Sequence, residues 1–163
     1  MKRSRRLGLC ARTTLVAFLA VAAASALLAQ PALATTPSNG SGTFSFAPIS
    51  STSRQADGNT FLEVTASETI SGSITGAATV QFSQVVHADG SVNTNGRITC
   101  VCTVDGRTGT VVFRFEGTGS STNLDGQFGV LSGTGGLADL RGQGTFHAVG
   151  LAGTYTFSWH FDP

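Results

Sequence analysis

The sequence predicts an all-β protein, and three observations support this fold class. Beyond residue 34 the chain has 20 Gly, 20 Thr and 15 Ser but six Leu and no Lys or Met, so strong helix formers are scarce and β-branched residues are common. Apolar and polar residues alternate in runs that turn-forming residues interrupt at regular intervals. Two of these interruptions, Asp89-Gly90 and Asp105-Gly106, are pairs that favour tight hairpins between antiparallel strands.

The first 34 residues have the three parts of an export signal. Five basic side chains up to Arg12 precede an uncharged apolar run of 16 residues from Thr13 to Leu28, and Ala32-Leu33-Ala34 is a small-residue cleavage site. The run is shorter than the roughly 20 residues that a membrane-spanning helix needs. We therefore predict a secreted protein with an export signal over residues 1–34. The Arg5-Arg6 pair leaves both the general secretory and the twin-arginine routes open.

The exported part of the chain is mildly acidic. It keeps five arginines against nine acidic residues, a formal net charge of −4, and the arginines do not cluster. Nucleic acids and anionic membranes attract basic surfaces. The composition therefore predicts no nucleic-acid partner and no membrane association after signal removal, and it indicates no oligomeric state.

The alternation predicts eight strands after a flexible leader over residues 35–42. An even number of up-and-down antiparallel strands can close into a barrel without exposed sheet edges. We therefore predict one domain over residues 43–163, an eight-stranded antiparallel up-and-down β-barrel, with a two-sheet β-sandwich as the alternative. The predicted strands are Thr43–Pro48, Thr60–Ile74, Ala78–Ala88, Ser91–Val104, Thr108–Thr118, Asn123–Leu131, Gln143–Val149 and Gly153–Phe161.

A glycine-rich segment, LSGTGGLADLRGQGTF over residues 131–146, allows two interpretations. Its glycine spacing fits a dinucleotide-binding fingerprint, but that motif requires a helix at this point, and the glycines that follow Arg141 prevent one. The favoured interpretation is a compact loop that places Leu137 and Leu140 under one end of the barrel, with Arg141 tied to Asp139. No cofactor is predicted.

The same segment resembles a bacterial family catalogued as a domain of unknown function, number 3224, which is similar in fold to the allene oxide cyclase and dirigent barrels. The resemblance covers most of residues 43–161. It implies an eight-stranded antiparallel barrel with an apolar interior, and no reaction. The residues that carry the resemblance are Gly133-Thr-Gly135-x-Leu137-x-x-Leu140-Arg141-Gly142-x-Gly144-x-Phe146, Gly106-Arg107-x-Gly109, Thr69-x-x-Gly72-x-Ile74-x-Gly76 and Gly153-Thr-Tyr155.

The period of two predicts which side chains enter the barrel. An eight-stranded barrel is either filled by its side chains or holds one small ligand, and ten phenylalanines in the exported chain favour the filled state. If a cavity is present, aromatic and amide side chains are the candidate ligand contacts. The indole N–H of Trp159 is expected to bond to Gln84 or to water. The candidate ligand-binding residues are Phe82, Gln84, Phe113, Tyr155 and Trp159.

Glu68 is the one candidate for chemistry. It shares parity with Leu62, Val64, Ala66 and Ile70, so a regular strand would turn its carboxylate into the apolar interior. Burial would raise its pKa and suit it to act as a general acid or to bind a polar ligand group. The commoner outcome for such a residue is a bulge, here near Ser67, or a place at the barrel end that returns the carboxylate to water.

The cysteines and histidines give weaker indications of a functional site. Cys100 and Cys102 both point inward, and two buried thiols are favoured over a strained local disulfide. A Cys-x-Cys pair without a nearby third ligand does not predict a metal site. His87, His147 and His160 lie on the polar face of different strands and are expected to be solvated.

Three classes of function fit these features. The favoured one is an exported barrel that binds a small apolar molecule in its interior. The second is an isomerase or cyclase of the allene oxide cyclase kind, with Glu68 or Gln84 as the polar group of the cavity. The third is a filled barrel that acts through its outer surface as an extracellular or envelope interaction module.

Overall fold

Eight strands, a short 3₁₀ turn and tight connections make up the domain. The computed structural model describes residues 36–163, so the predicted export signal lies outside the described residues. The 3₁₀ turn, Gly135–Leu137, lies between the sixth and seventh strands. The strands are β1 (Ser38–Ala56), β2 (Asn59–Gly72), β3 (Ile74–Val86), β4 (Ser91–Val104), β5 (Arg107–Ser120), β6 (Asn123–Gly133), β7 (Leu140–Val149) and β8 (Ala152–Phe161).

The strands form one closed barrel. Each strand pairs antiparallel with the next, and β8 returns to pair with β1 from Ser38↔Trp159 to Ser45↔Ala152. Closure leaves the ladder without a free edge. The predicted up-and-down barrel is thus confirmed, and the sandwich alternative is wrong because all eight strands pair in one continuous ring instead of two separate sheets.

The first strand is much longer than predicted at both ends. It begins at Ser38, so residues 38–42 of the predicted leader belong to the barrel, where they pair with β8. It also continues through the bulge at Ile49, which lies between paired residues Pro48 and Ser50 and is 66% exposed. The bulge reverses the inward parity of β1, and beyond it serines and threonines prevail, so no apolar alternation marks the second half.

Tight turns set the register of the hairpins. Asp57-Gly58 and Asp105-Gly106 have positive φ at both residues, 51° and 77° in the first and 51° and 74° in the second. This is the type I′ geometry that matches the twist of antiparallel strands. The Asp105-Gly106 turn confirms the prediction, whereas Asp57-Gly58 was not predicted because the polar end of β1 precedes it.

The sequence predicted one strand over Thr60–Ile74, but in the structure β2 ends at Gly72 and a turn precedes β3. Gly72 has a φ of 112°, and a Cβ there would collide with the carbonyl oxygen of Ser41. The Tyr155 hydroxyl stabilises the turn, because it accepts a hydrogen bond from the Ile74 backbone N–H at 2.8 Å and lies 3.2 Å from the Ser71 carbonyl oxygen. A glycine, together with a tyrosine of β8 that lies over Gly42 of β1, therefore ends β2 at residue 72.

One end of the barrel is filled by side chains. The segment that includes the 3₁₀ turn packs Leu137 and Leu140, both 0% exposed, into the end where β1 begins. This confirms the predicted compact loop. Arg141 is tied differently from the prediction: its Nε lies 3.0 Å from Oδ2 of Asp162, and no Arg141–Asp139 pair is present among the described residues. We call this end of the barrel the closed end.

Membrane-spanning helices are absent from the described part of the chain, residues 36–163.

The single tryptophan provides a test of the packing at the closed end. Trp159 is 7% exposed, and its ring stacks on Phe157 with centroids 5.3 Å apart. We expect blue-shifted tryptophan emission from the native protein, because the indole is surrounded by apolar groups. The denatured protein in urea is the control. Native emission at the solvated position would contradict the inward placement of Trp159.

Candidate functional site

The other half of the barrel encloses a cavity of about 360 Å³. Exposed lining residues mark its mouth: Ser121 and Leu151 lie in the β5–β6 and β7–β8 connections, and Pro48 and Ser51 lie on β1. We call this the open end of the barrel. The structure therefore combines the two states that the sequence left open, because the barrel is filled at the closed end and hollow at the open end.

Eight aromatic side chains contribute to the cavity wall. Edge-to-face contacts connect them, such as Phe115 with Phe146 at 6.0 Å and Phe44 with Phe146 at 6.4 Å between centroids. These contacts fix the rings in place beyond what burial alone provides. The eight aromatic lining residues are Phe44, Phe46, Phe82, Phe113, Phe115, Phe128, Phe146 and Tyr155.

Glycines on the neighbouring strands make room for these rings. Phe146 pairs with Gly126, and a Cβ at Gly126 would collide with the phenyl ring. Phe44 pairs with Gly153 in the same way. Because a glycine leaves the inner face open, each ring lies across its neighbouring strand instead of projecting to the barrel axis. This arrangement keeps the centre of the open half empty.

Glu68 lies in this cavity wall, on the inner face of β2. It pairs with Phe46 of β1 and Ala78 of β3, and it is 7% exposed. Its buried Oε2 has no hydrogen-bond partner among the described residues. Loss of hydration raises the pKa of this carboxyl from its ordinary value of 4.5 to about 7.

The expected return of Glu68 to water is therefore wrong. Strand β2 has no bulge near Ser67. The bulge lies on the partner strand β1, at Ile49. A bulge on the partner strand leaves the parity of β2 unchanged, so Glu68 keeps the inward direction that simple alternation gives it.

The other polar groups of the wall are neutral. Gln84 and Thr94 lie opposite each other on β3 and β4, and the Thr94 hydroxyl donates to the Ser83 carbonyl oxygen at 3.2 Å. The Tyr155 hydroxyl is engaged with the β2–β3 turn. Glu68 is thus the one acidic residue of the lining, and the lining includes no Lys, Arg or His.

The structure brings together four of the five predicted ligand contacts. Phe82, Gln84, Phe113 and Tyr155 all line the cavity. Trp159 does not: it lies in the closed half, and its Nε1 has no partner among the described residues, so the expected bond to Gln84 is also absent. Because barrel strands are tilted and staggered, residues that share the inner face lie at different heights along the barrel. Parity alone does not predict these heights.

Sequence reasoning missed the contributions of β1, β6 and β7 to the wall, which are Phe44, Phe46, Phe128 and Phe146. Their alternation was visible, but β6 and β7 contain glycine at several inward positions, which weakens an apolar pattern. The pairing of glycine with phenylalanine across neighbouring strands was the available indication.

The two cysteines lie in the filled half and form a disulfide. Cys100 and Cys102 are 0% and 1% exposed, and their Cα atoms are 5.4 Å apart. The favoured state of two free thiols is therefore wrong, although the predicted inward direction of both side chains is confirmed. The Cα separation is shorter than the roughly 6.5 Å expected for a fully extended strand, and it falls within the range that a disulfide bridges.

The three histidines lie apart on the outer surface. His147 pairs with Asp125 at 2.7 Å, His160 lies 3.3 Å from Asp162, and His87 bonds to Asn93 at 2.9 Å. Within residues 36–163 no three His, Cys, Asp or Glu side chains approach closely enough to hold a metal ion.

A larger depression of about 920 Å³ lies on the outer face of β5 to β8 and the start of β1. Four of its polar side chains bond in pairs, Gln127 with Glu116 at 2.6 Å and Thr145 with Thr156 at 2.9 Å. We therefore place the candidate site in the interior cavity, where a buried polar atom lacks a partner.

These features define a small up-and-down β-barrel, filled at one end and hollow at the other. A family model described as "Protein of unknown function (DUF3224)" matches residues 32–159. The chain belongs to this family, as its sequence motifs predicted.

A solved structure has the same fold. It is a DUF3224-family protein of unknown function from Shewanella oneidensis MR-1, with 20% sequence identity and a TM-score of 0.65 over 78% of this chain and 98% of that one. No curated protein matches the sequence significantly. The likeness to allene oxide cyclase barrels stays a prediction.

Proposed function

We propose that this protein binds one small, largely apolar molecule inside the open half of its barrel. The observation that carries the proposal is the cavity itself, a space of about 360 Å³ lined mostly by apolar side chains, with one carboxyl in its wall whose Oε2 lacks a partner among the described residues. Small-molecule sites in proteins are typically concave, mostly apolar and roughly 300–1,000 Å³ in volume, with few polar groups that orient the ligand.

Occupation of the cavity would also improve the packing of the protein. Rings that face an empty space lose dispersion contacts on one side, and a ligand restores them. The exposed Leu151 at the mouth extends the apolar wall to the surface, so an apolar molecule meets a continuous path inward.

A neutral fluorescent probe tests the proposal. N-phenyl-1-naphthylamine emits strongly only in apolar surroundings, and we expect its emission to rise saturably with the wild-type protein. We expect Val80→Phe to abolish this response, because Val80 lines the cavity and is 6% exposed, so the added ring occupies the ligand's space. Binding to the folded state alone should also raise the melting temperature.

The matched control is Thr79→Phe, which adds a similar ring to the exposed face of the same strand. This variant should bind the probe as the wild type does, and circular dichroism establishes that both variants are folded. A wild-type protein without saturable binding would reject the proposal. Equal binding by the Val80→Phe protein would place the probe outside the barrel and reject it as well.

Export is part of the proposed role. Cleavage after Ala34 would leave every strand intact, because β1 begins at Ser38. We expect the mature protein from the culture medium or the periplasm to start at or near Thr35. Intact-mass measurement of that material checks this expectation, and retention of residues 1–34 would contradict it.

A further inference from the structure

The cavity wall can carry negative charge but no positive charge. Glu68 is the one ionisable group of the lining besides Tyr155, whose hydroxyl is already bonded to the β2–β3 turn. On the neighbouring strands the residues paired with Glu68 are Phe46 and Ala78, neither of which carries a charge. No side chain of the cavity can therefore serve as the counterion of Glu68.

The aromatic wall has the same electrostatic preference as the carboxylate. The face of a phenyl ring carries partial negative charge and attracts cations, most strongly where water is excluded. Eight aromatic residues line the cavity, and Phe46 pairs directly with Glu68 across the β1–β2 ladder. A positive group beside Glu68 would meet a carboxylate and ring faces in the same small space.

We propose that the ligand of this cavity is a lipophilic amine, whose ammonium group pairs with Glu68 and whose apolar body lies against the phenylalanine rings. This inference rests on the proposed binding function and specifies its ligand class. An ammonium group donates up to three hydrogen bonds, and Oε2 of Glu68 is a buried acceptor without a partner among the described residues.

Other ligand classes fit the wall less well. A fatty acid would bring a second carboxylate next to Glu68, and like charges in a desolvated site repel each other. An alcohol satisfies one lone pair of Glu68 but adds no charge pairing and no attraction to the rings. Both the alcohol and the ammonium donate to the carboxylate, but only the ammonium brings a positive charge that offsets the cost of burying the ionised Glu68, so the amine should be preferred over an alcohol of the same shape.

The pairing also predicts how affinity depends on pH. Burial raises the pKa of Glu68 to about 7 in the empty barrel, whereas a bound ammonium favours the ionised carboxylate and lowers that pKa. Amine binding below pH 7 therefore releases a proton, and the affinity should increase from pH 5 to about pH 7 and then level off. Tyr155 is the other titratable group of the wall, and its hydroxyl is bonded to the β2–β3 turn.

Three eight-carbon probes test the inference: n-octylamine, 1-octanol and octanoate, each measured by displacement of N-phenyl-1-naphthylamine at pH 8. We expect octylamine to bind about tenfold or more tightly than 1-octanol, since an opposite charge beside a carboxylate shifts its pKa by at least about one unit, a tenfold factor, and octanoate to bind most weakly. Glu68→Gln should reduce octylamine affinity to about that of 1-octanol and change 1-octanol binding far less.

Glu63→Gln is the matched control. It makes the same chemical change on the outer face of the same strand, where Glu63 accepts a hydrogen bond from Ser83 at 2.8 Å, and it alters the net charge equally. This variant should keep the amine preference. Equal displacement by octylamine and 1-octanol, or an equal loss of preference in both variants, would overturn the amine inference while leaving apolar binding intact. Failure of all three probes and of the dye would overturn the proposed function itself.

Discussion

Replacement of Phe157 by alanine is expected to lower the free energy of unfolding by about 3–5 kcal/mol. Phe157 is 2% exposed at the centre of the filled half. Its ring stacks on Trp159 and Phe128 at 5.3 and 5.7 Å and meets the edge of Phe113 at 6.1 Å. Removal of the ring leaves a cavity among rigid neighbours that cannot collapse into it, which explains the large expected loss.

Urea denaturation at fixed pH measures this loss, and Thr154→Ala is the control. Thr154 is exposed on the opposite face of the same strand, so its replacement should change stability by no more than about 0.5 kcal/mol. A loss of less than about 1 kcal/mol in the Phe157 variant would show that the closed half is not packed as described.

Glu68→Gln is expected to stabilise the protein at pH 8 by up to about 3 kcal/mol, because the shift of its pKa from 4.5 to about 7 is converted at 1.36 kcal/mol per unit. The folded-state pKa lies above the unfolded one, so the wild type has its full stability below about pH 4.5. It loses stability as the pH rises to about 7, where the buried carboxyl ionises. Glutamine resembles the protonated acid and avoids this loss.

The measurement is the free energy of unfolding of both proteins at several pH values from 4 to 8. The two curves should coincide near pH 4 and diverge up to about pH 7. The exposed-face variant Glu63→Gln should retain the decline of the wild type. Parallel curves for wild type and Glu68→Gln would mean that Glu68 is solvated, and they would remove the anchor of the amine proposal.

Strand parity proved reliable because it depends only on local geometry. Successive side chains of a strand point to opposite faces whatever the strand contacts. The inward positions of Glu68, Phe82, Gln84 and Phe113 could therefore be read from the sequence. The prediction failed where parity was interrupted, at the Ile49 bulge, because an inserted residue leaves no distinct pattern in a run of serines and threonines.

The cysteine pair shows a different limit. Their inward direction followed from alternation, but the choice between thiols and a disulfide depends on the local Cα separation, which is 5.4 Å here. An ideal strand places such residues near the upper limit of bridging distance, and a small local departure from full extension brings them closer to the commonest disulfide separation.

The sequence by itself determined the fold class, the inner and outer face of most strands and the compact loop of Leu137 and Leu140, because these depend on periodicity and on glycine-rich turn chemistry. Only the tertiary structure decided that one half is filled and the other hollow. Strand tilt sets the height of each inward residue along the barrel, and this height separates Trp159 from the cavity while leaving Tyr155 in its wall. A ring either points to the barrel axis or lies across a glycine, and the residue paired with it on the neighbouring strand determines which. Phe146, for example, is paired with Gly126. Cavities arise from these contacts between distant residues, and local patterns carry no information about them.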